Sequence, residues 1–124
     1  NNKYTKSFEE ILKASDILSL HARLNQNTKH LIGSVELSLM KPTAFLINTA
    51  RGSLINEKDL VTALENSTIS GAALDVFEEE PINNYKLTRL SNVILSPHIA
   101  GSTEESLSIT LNQVIDSVID NIQL

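Results

Sequence analysis

Four short apolar stretches recur along the chain, and they are the strongest pattern in the sequence. None of them alternates apolar with polar residues, which is typical of strands in a parallel sheet that is covered on both faces. The pattern therefore predicts four buried strands. They lie at residues 16–21, 44–49, 71–77 and 92–98.

Helical patterns lie before, between and after these stretches. Residues 7–10 and 102–105 each have the spacing of a capping box, in which a hydroxyl and a carboxylate satisfy the first free N–H groups of a helix. Ser34 is expected to cap a short helix that runs through Met40, and Asn56 to cap another. The helix after residue 102 is predicted to be the longest. Its apolar stripe is formed by Leu107, Leu111, Val114, Ile115, Val118, Ile119 and Ile122.

The alternation of strands and helices predicts an α/β fold with a doubly wound parallel sheet. We expect about four strands with flanking helices. Only the segment 78–91 lacks a convincing helical pattern, so it is predicted to be a loop. A loop of this length inside a compact domain often has a function.

Composition and charge indicate which classes of protein the chain can belong to. The chain has 124 residues, which corresponds to one domain, and its 41% hydrophobic and 20% charged residues are typical of a globular protein. The net charge is −5 and no run of lysine or arginine occurs, so we expect no nucleic-acid partner. No apolar run approaches the roughly 20 residues that span a bilayer, so no membrane partner is expected. The absence of cysteine fits a reducing compartment, and we expect a cytoplasmic protein.

Charged residues follow several of the predicted strands. Arg51, Asp75 and His98 lie at strand ends, with a run of glutamates at 78–80. Ligands bind open α/β sheets outside the carboxyl ends of the strands, so these side chains should meet at one edge. Each has an ordinary alternative: a solvated arginine, a turn-capping aspartate, a solvated acidic run and a packed histidine. Their shared position favours a binding edge.

The chemistry of this set is coherent. The planar guanidinium of Arg51 can hold a carboxylate through two parallel hydrogen bonds. His98 can move a proton near neutral pH. A carboxylate such as Glu80 could bond the second imidazole nitrogen and fix the orientation of the ring. Carboxylate recognition with proton transfer suits the interconversion of hydroxy acids and keto acids, for which a nucleotide cofactor carries the hydride.

Three segments together resemble a known family. They are "MKPTAFLINTARGSLINEKDLVTAL", "ISGAALDVFEEEP" and "NVILSPHIAGST". In order and spacing they are similar to the D-isomer-specific 2-hydroxyacid dehydrogenases, which include phosphoglycerate dehydrogenases and glyoxylate/hydroxypyruvate reductases. The resemblance implies the C-terminal part of a Rossmann-type sheet that binds NAD, with NADP not excluded. It also implies a small 2-hydroxy or 2-oxo acid as substrate, and no metal.

The resemblance assigns roles to individual residues. Arg51 would bind the substrate carboxylate and keto oxygen, and Glu80 would pair with His98, the acid/base. The residues expected to contact the cofactor are Thr49, Ala50, Arg51, Asp75, His98, Ile99, Ala100 and Gly101.

One motif departs from the family. His21-Ala22-Arg23 replaces the common H-x-P, so a proline position holds arginine. We expect His21 to be structural or near the cofactor, and His30 to be exposed.

The 124 residues contain no G-x-G-x-x-G loop and no counterpart of the family's substrate domain. We therefore expect residues 1–124 to be a partial NAD-binding domain, inactive alone, which belongs to a longer dehydrogenase. An unpaired sheet edge recruits partners, which favours a homodimer or a complex with the missing half of the domain. Two alternatives stay open: an NAD-sensing module like a corepressor, and a non-catalytic interaction fragment.

Overall fold

A computed structural model describes residues 7–122 of the chain. All four predicted strands are confirmed, and each is shorter than the apolar stretch that predicted it. The elements are α1 (Phe8–Ala14), β1 (Ile17–Leu20), α2 (Ser34–Leu39), β2 (Phe45–Asn48), α3 (Glu57–Glu65), β3 (Gly71–Leu74), β4 (Val93–Leu95) and α4 (Glu104–Ile122), with 3-10 turns at Gly52–Leu54 and Leu87–Arg89.

The four strands form one parallel sheet in the order β1-β2-β3-β4. The register places Leu20, Asn48, Leu74 and Leu95 in one row across the sheet. The segments that follow these residues therefore leave the sheet at the same edge. This alignment positions the candidate site.

One face of the sheet is buried and carries the core. Inward residues of the strands, such as Leu18 and Leu46, pack with Leu12, Leu37 and Leu60 from α1, α2 and α3. The burial of apolar side chains between helices and sheet is the main source of stability for this half of the molecule.

The prediction that both faces of the sheet are covered is wrong for the described residues. On the second face, Ile17 is 63% exposed, Phe45 49% and Ile94 73%. An apolar run shows that both faces of a strand carry apolar side chains, but it does not show which segment covers each face. Helices α1 to α3 cover only one.

Asn56 caps its helix as predicted, because its side chain accepts a hydrogen bond from the Asp59 N–H at 3.2 Å. Ser7 precedes α1 as predicted but makes no side-chain capping bond. The backbone of α1 therefore starts where the sequence indicated, without the predicted capping box.

Two other caps differ from the prediction by one position. Helix α2 begins at Ser34 itself, and the flanking Gly33 N–H donates to the Glu36 carboxylate at 3.0 Å. At α4 the capping oxygen is Thr103 Oγ1, which accepts from the Ser106 N–H at 3.1 Å. Adjacent hydroxyl and glycine positions compete for the cap, and the sequence pattern does not separate them.

The segment predicted as a loop, residues 78–91, contains a short 3-10 turn at Leu87–Arg89, whose first residue is fully buried. Helix α4 has its predicted stripe, but the described residues do not cover it: its large apolar side chains are 49–69% exposed. Within residues 7–122, no helix combines the length and apolarity that a membrane span requires.

Candidate active site

The turn after β2 is built on a buried asparagine. Asn48 is 0% exposed, and its amide Nδ2 donates to the Arg51 carbonyl at 2.9 Å. Its Oδ1 accepts from the Ala50 N–H at 3.0 Å. A buried amide is costly without partners, and here the turn itself supplies them. The result is a fixed turn that carries Arg51 out to the surface.

Gly52 allows this turn to approach the segment after β3. A Cβ at position 52 would lie 1.9 Å from the carbonyl carbon and oxygen of Phe77 and 2.5 Å from the Glu78 N–H nitrogen. No side chain fits in that space, so a glycine is required there. The contact fixes the Arg51 turn against the residues that lead to Glu80.

The guanidinium of Arg51 is exposed at this edge. Its Nη1 donates to the Ala50 carbonyl at 2.6 Å, and within residues 7–122 it forms no salt bridge. A guanidinium has five N–H donors, so most of them remain for a ligand. Arg51 therefore keeps the capacity to hold a carboxylate.

Asp75 is buried at the end of β3 and holds the segment after β4. The side chain is 3% exposed, and Oδ1 accepts from Ser96 Oγ at 2.7 Å and from the Ile99 N–H at 2.9 Å. Oδ2 accepts from the Ala100 N–H at 2.9 Å. Burial alone would raise the pKa of Asp75, but these three hydrogen bonds outweigh it, so the pKa lies below its ordinary value.

The backbone at His98 is in the left-handed region, with φ of 55°. Few residues other than glycine adopt this conformation, and it usually needs support from the surrounding structure. The support is the hydrogen bond from the His98 N–H to the Ser96 carbonyl at 3.1 Å, together with the Asp75 bonds to the next two residues. Asp75 is therefore a positioning residue for the histidine segment.

His98 and Glu80 form a hydrogen-bonded pair. His98 Nδ1 lies 2.8 Å from Glu80 Oε2, and Glu80 Oε1 accepts from the Phe77 N–H at 3.1 Å. The bond to His98 and then the bond from Phe77 lower the pKa of Glu80 below its ordinary value. The side chains are 49% and 38% exposed, so the pair is open to a ligand.

This arrangement suits proton transfer. With Nδ1 directed at Glu80, the second ring nitrogen, Nε2, has no hydrogen-bond partner among the residues that the structure describes. A ring fixed in this way can give or take a proton at Nε2. The carboxylate orients the ring and stabilises its charged form.

The candidate residues fall into two neighbouring clefts. The dyad pocket, about 450 Å³, is lined by Phe77, Glu80, Pro81, Ile82, Pro97 and His98. The arginine cleft, about 350 Å³, is lined by His21, Ala22, Arg23, Leu24, Thr49, Ala50 and Arg51. The structure thus brings Glu80 and His98 into direct contact, whereas Arg51 belongs to the adjacent cleft.

The two clefts are close enough for one small ligand. Arg51 and His98 each stand three residues beyond the row that contains Asn48 and Leu95. Their strands are separated by β3 alone, so the strand ends lie roughly 10 Å apart. Flexible side chains from both strands can reach a molecule held over the end of β3.

The residues predicted to contact a dinucleotide lie at this open edge. Gly101 has no atom within 4 Å of the place where a Cβ would be, and Thr49 and Ile99 are exposed. The N–H groups of Ala50, Ile99 and Ala100 are already bonded within the chain. Any contact from these three would come from side chains or carbonyls. No cluster of three or more potential metal ligands occurs in residues 7–122.

Two other predicted positions are also placed. His30 is exposed, as predicted, and its Nε2 lies 3.0 Å from Glu78 Oε1. His21 is in the arginine cleft, where its Nε2 is 2.9 Å from Ser19 Oγ.

Two residues that hold the site together, Asn48 and Ser96, were not predicted from the sequence. Both are polar residues at the end of an apolar strand, directly before a turn. That position was a usable signal, since a polar group there must find partners inside the turn.

The fold and the edge define an α/β domain of the nucleotide-binding type with a hydrogen-bonded histidine–glutamate pair at the carboxyl ends of its strands. The sequence then identifies the family. Residues 1–100 match the family "D-isomer specific 2-hydroxyacid dehydrogenase, NAD binding domain". The chain belongs to this family.

Named relatives agree with this assignment. The chain is 52% identical to the glyoxylate reductase of Thermococcus litoralis over 80% of its own length and 30% of the relative. A glyoxylate reductase structure from Paecilomyes thermophila matches with a TM-score of 0.86 at 40% identity, over 94% of this chain and 36% of that one. The NADPH-dependent glyoxylate/hydroxypyruvate reductase of Sinorhizobium meliloti, solved with NADP and malonate, matches with a TM-score of 0.79 at 38% identity, over 83% and 32%.

The chain therefore spans about a third of the length of the relatives it matches. The family is that of an NAD-binding domain, and its solved members include an NADP complex.

Proposed function

We propose that the chain is the catalytic portion of the NAD-binding domain of a D-2-hydroxyacid dehydrogenase, and that the natural protein reduces a small 2-oxo acid. The observation that carries the proposal is the His98–Glu80 pair, 2.8 Å apart, at the same sheet edge as the unpaired Arg51. The pair supplies proton transfer, and the guanidinium supplies recognition of a carboxylate.

The geometry supports the following roles for the residues. Arg51 holds the substrate carboxylate and orients the keto group. His98 donates a proton from Nε2 to the keto oxygen during reduction, and it accepts that proton during oxidation of the hydroxy acid. Glu80 keeps Nδ1 protonated and the ring oriented, and it stabilises the positive charge that His98 carries before the transfer.

The edge also fits a nicotinamide cofactor, which when bound supplies or accepts the hydride at C2 of the substrate. The open space beside Gly101 and the exposed side chain of Ile99 leave room for a flat ring next to His98. Asp75 accepts three hydrogen bonds within the chain, so we assign it to positioning the segment from His98 to Ala100 at the edge where the cofactor would bind.

The experiment is turnover by the natural, full-length protein with NADH or NADPH and glyoxylate, hydroxypyruvate or phosphohydroxypyruvate. His98→Gln removes the acid/base and should lower kcat by roughly a hundredfold or more. Arg51→Gln should raise KM for the 2-oxo acid and lower kcat, while NADH binding persists. The matched control is His30→Gln, which removes an exposed histidine that is also paired with a glutamate.

Full activity in His98→Gln or in Arg51→Gln would show that our roles for these residues are wrong. A protein that binds NADH but reduces no 2-oxo acid would favour an NAD-sensing module. None of the relatives named above is a corepressor, so we do not propose that function. We propose instead that residues 1–124, which contain no G-x-G-x-x-G loop, are inactive when prepared alone.

The assembly and location are also proposals. The open sheet face and the α4 stripe expose apolar surface, which supports a homodimer. Light scattering of the natural protein tests this, and a strictly monomeric mass would contradict it. The cysteine-free composition supports a cytoplasmic protein, which cell fractionation tests.

A further inference from the structure

The arginine cleft is positively charged, although the net charge of the chain is negative. Three of its lining residues, His21, Arg23 and Arg51, are basic, and none is acidic, although the net charge of the chain is −5. Neither arginine forms a salt bridge within residues 7–122. A concave surface lined by one sign of charge concentrates ligands of the other sign.

Arg51 has a proposed role in this cleft, but Arg23 does not. Arginine stands at position 23, where the family commonly has proline. The side chain is exposed, while the backbone beside it is fixed: Thr28 Oγ1 donates to the Arg23 carbonyl at 2.7 Å and accepts from the Asn25 N–H at 2.8 Å. The fixed backbone lowers the conformational freedom that is lost when an anion binds, and the unpaired guanidinium keeps its donors for that anion.

We propose that Arg23 makes the arginine cleft a phosphate-binding subsite. The phosphate belongs either to the diphosphate of the dinucleotide or to a phosphate ester on the 2-oxo acid. The inference rests on the proposed function, since that function supplies both ligands. Phosphate fits because a planar guanidinium binds two of its oxygens at once, and the second arginine of the cleft stays available for a carboxylate.

The variants are made in the natural, full-length protein. Arg23→Gln removes the charge and the donor fork, and Arg23→Lys keeps the charge without the fork. Arg89→Gln is the matched control, because Arg89 is an exposed arginine on the 3-10 turn before β4 and lies outside the cleft. All four proteins are compared at low salt, since binding to exposed charges is screened as ionic strength rises.

The first arm uses ADP-ribose, which contains the diphosphate of the cofactor and no nicotinamide. If the cofactor supplies the phosphate, Arg23→Gln raises the Kd for ADP-ribose and NADH about tenfold, the loss of one charge-assisted contact. Arg23→Lys gives an intermediate value and Arg89→Gln the wild-type value. This arm needs no turnover.

The second arm compares hydroxypyruvate with phosphohydroxypyruvate, which differ only in the phosphate. If the substrate supplies the phosphate, Arg23→Gln raises KM about tenfold for the phosphorylated acid alone, and the Kd for ADP-ribose stays constant. The inference is overturned if the Kd for ADP-ribose and the KM of every acid that the protein turns over remain within about twofold of wild type in Arg23→Gln. It is also overturned if Arg89→Gln causes the same change.

The two proposals fail separately. If Arg51→Gln abolishes turnover and Arg23→Gln changes nothing, only the proposal of a phosphate subsite is refuted. If the wild-type protein reduces no 2-oxo acid, the proposed function is refuted. The binding measurement with ADP-ribose still decides whether Arg23 binds phosphate.

Discussion

Glu80 carries the charge that is expected to set the pH range of the reaction. Its pKa is lowered by the bonds to His98 and the Phe77 N–H, so it remains a carboxylate at every pH above its ordinary value of 4.5. This negative charge, 2.8 Å from Nδ1, favours the protonated ring that reduction requires.

We predict that Glu80→Gln moves the alkaline limb of kcat for 2-oxo acid reduction to lower pH. The amide can still accept a hydrogen bond but no longer stabilises a positive charge. The measurement is kcat against pH from 5 to 9 in steady-state assays. Glu78→Gln, which removes the partner of His30, is the control and should leave the limb in place. An unchanged limb in Glu80→Gln would mean that another group sets the charge of His98.

Asp75 gives a second prediction at this scale, on stability. Its folded-state pKa is lowered, so its contribution is complete above the ordinary pKa of 3.8 and is lost as the pH falls through the folded-state value. Asp75→Asn leaves donors on Ser96, Ile99 and Ala100 without a carboxylate. We expect the free energy of unfolding at pH 7 to fall by about 1–3 kcal/mol.

The difference between wild type and Asp75→Asn should shrink as the pH drops below 3.8, because the carboxyl of the unfolded wild-type chain then binds a proton, and it should vanish once the pH falls below the folded-state pKa. Denaturant unfolding followed by circular dichroism at pH 7, 5 and 3 measures this. A difference that stays constant with pH would show that the loss arises from packing and not from the carboxylate charge.

At the scale of elements, two glycines at the same edge are expected to behave in opposite ways. A methyl group at position 52 would overlap the backbone of Phe77, whereas at position 101 it would meet nothing within 4 Å. Gly52→Ala should therefore destabilise the protein by about 1–3 kcal/mol or more and displace the turn that holds Arg51 in the arginine cleft. Gly101→Ala should change the free energy of unfolding by no more than about 1 kcal/mol.

The two variants also separate stability from cofactor binding. If a nicotinamide occupies the space beside residue 101, Gly101→Ala raises the Kd for NADH while the protein stays folded. Thermal unfolding and NADH fluorescence titration measure the two effects. Equal destabilisation by both substitutions would contradict the close contact at Gly52.

The sequence predicted the elements better than it predicted their ends. Apolar runs located all four strands because the strand residues that face the core, such as Leu18 and Leu46, are apolar. The predicted cap positions of α2 and α4 were wrong by one residue, because Gly33 and Thr103 stand beside the predicted serines and occupy the cap positions instead. The prediction that the second face of the sheet is covered was wrong, because an apolar strand face does not identify what packs against it.

Part of the candidate site could also be predicted from the sequence. Strand ends alone brought Arg51, Asp75 and His98 to one edge, and the family resemblance was needed to select Glu80 from three adjacent glutamates. The support from Asn48 and Ser96 was not predicted, because their hydrogen bonds depend on how each turn closes.

At the scale of the whole molecule, helix α4 differs from the other helices in its burial. No residue of α4 is buried, and the family match ends at residue 100, before the helix begins. The core under β1 to β4 is formed by α1, α2 and α3 and includes nothing from α4. The folded core therefore gains little stability from this helix, although the helix exposes most of a continuous apolar stripe.

We predict that shortening the 124-residue chain to residues 1–102 leaves the thermal midpoint unchanged within about 2 °C, because surface segments without buried contacts contribute little to unfolding. The same change should reduce self-association, because an exposed apolar stripe on a helix favours contacts between molecules. Scanning calorimetry and light scattering of the two chains measure these effects. As a control, Leu111→Gln with Val118→Gln in the longer chain should reduce self-association without loss of helix. A midpoint that falls by 5 °C or more on shortening would show that α4 packs on the core.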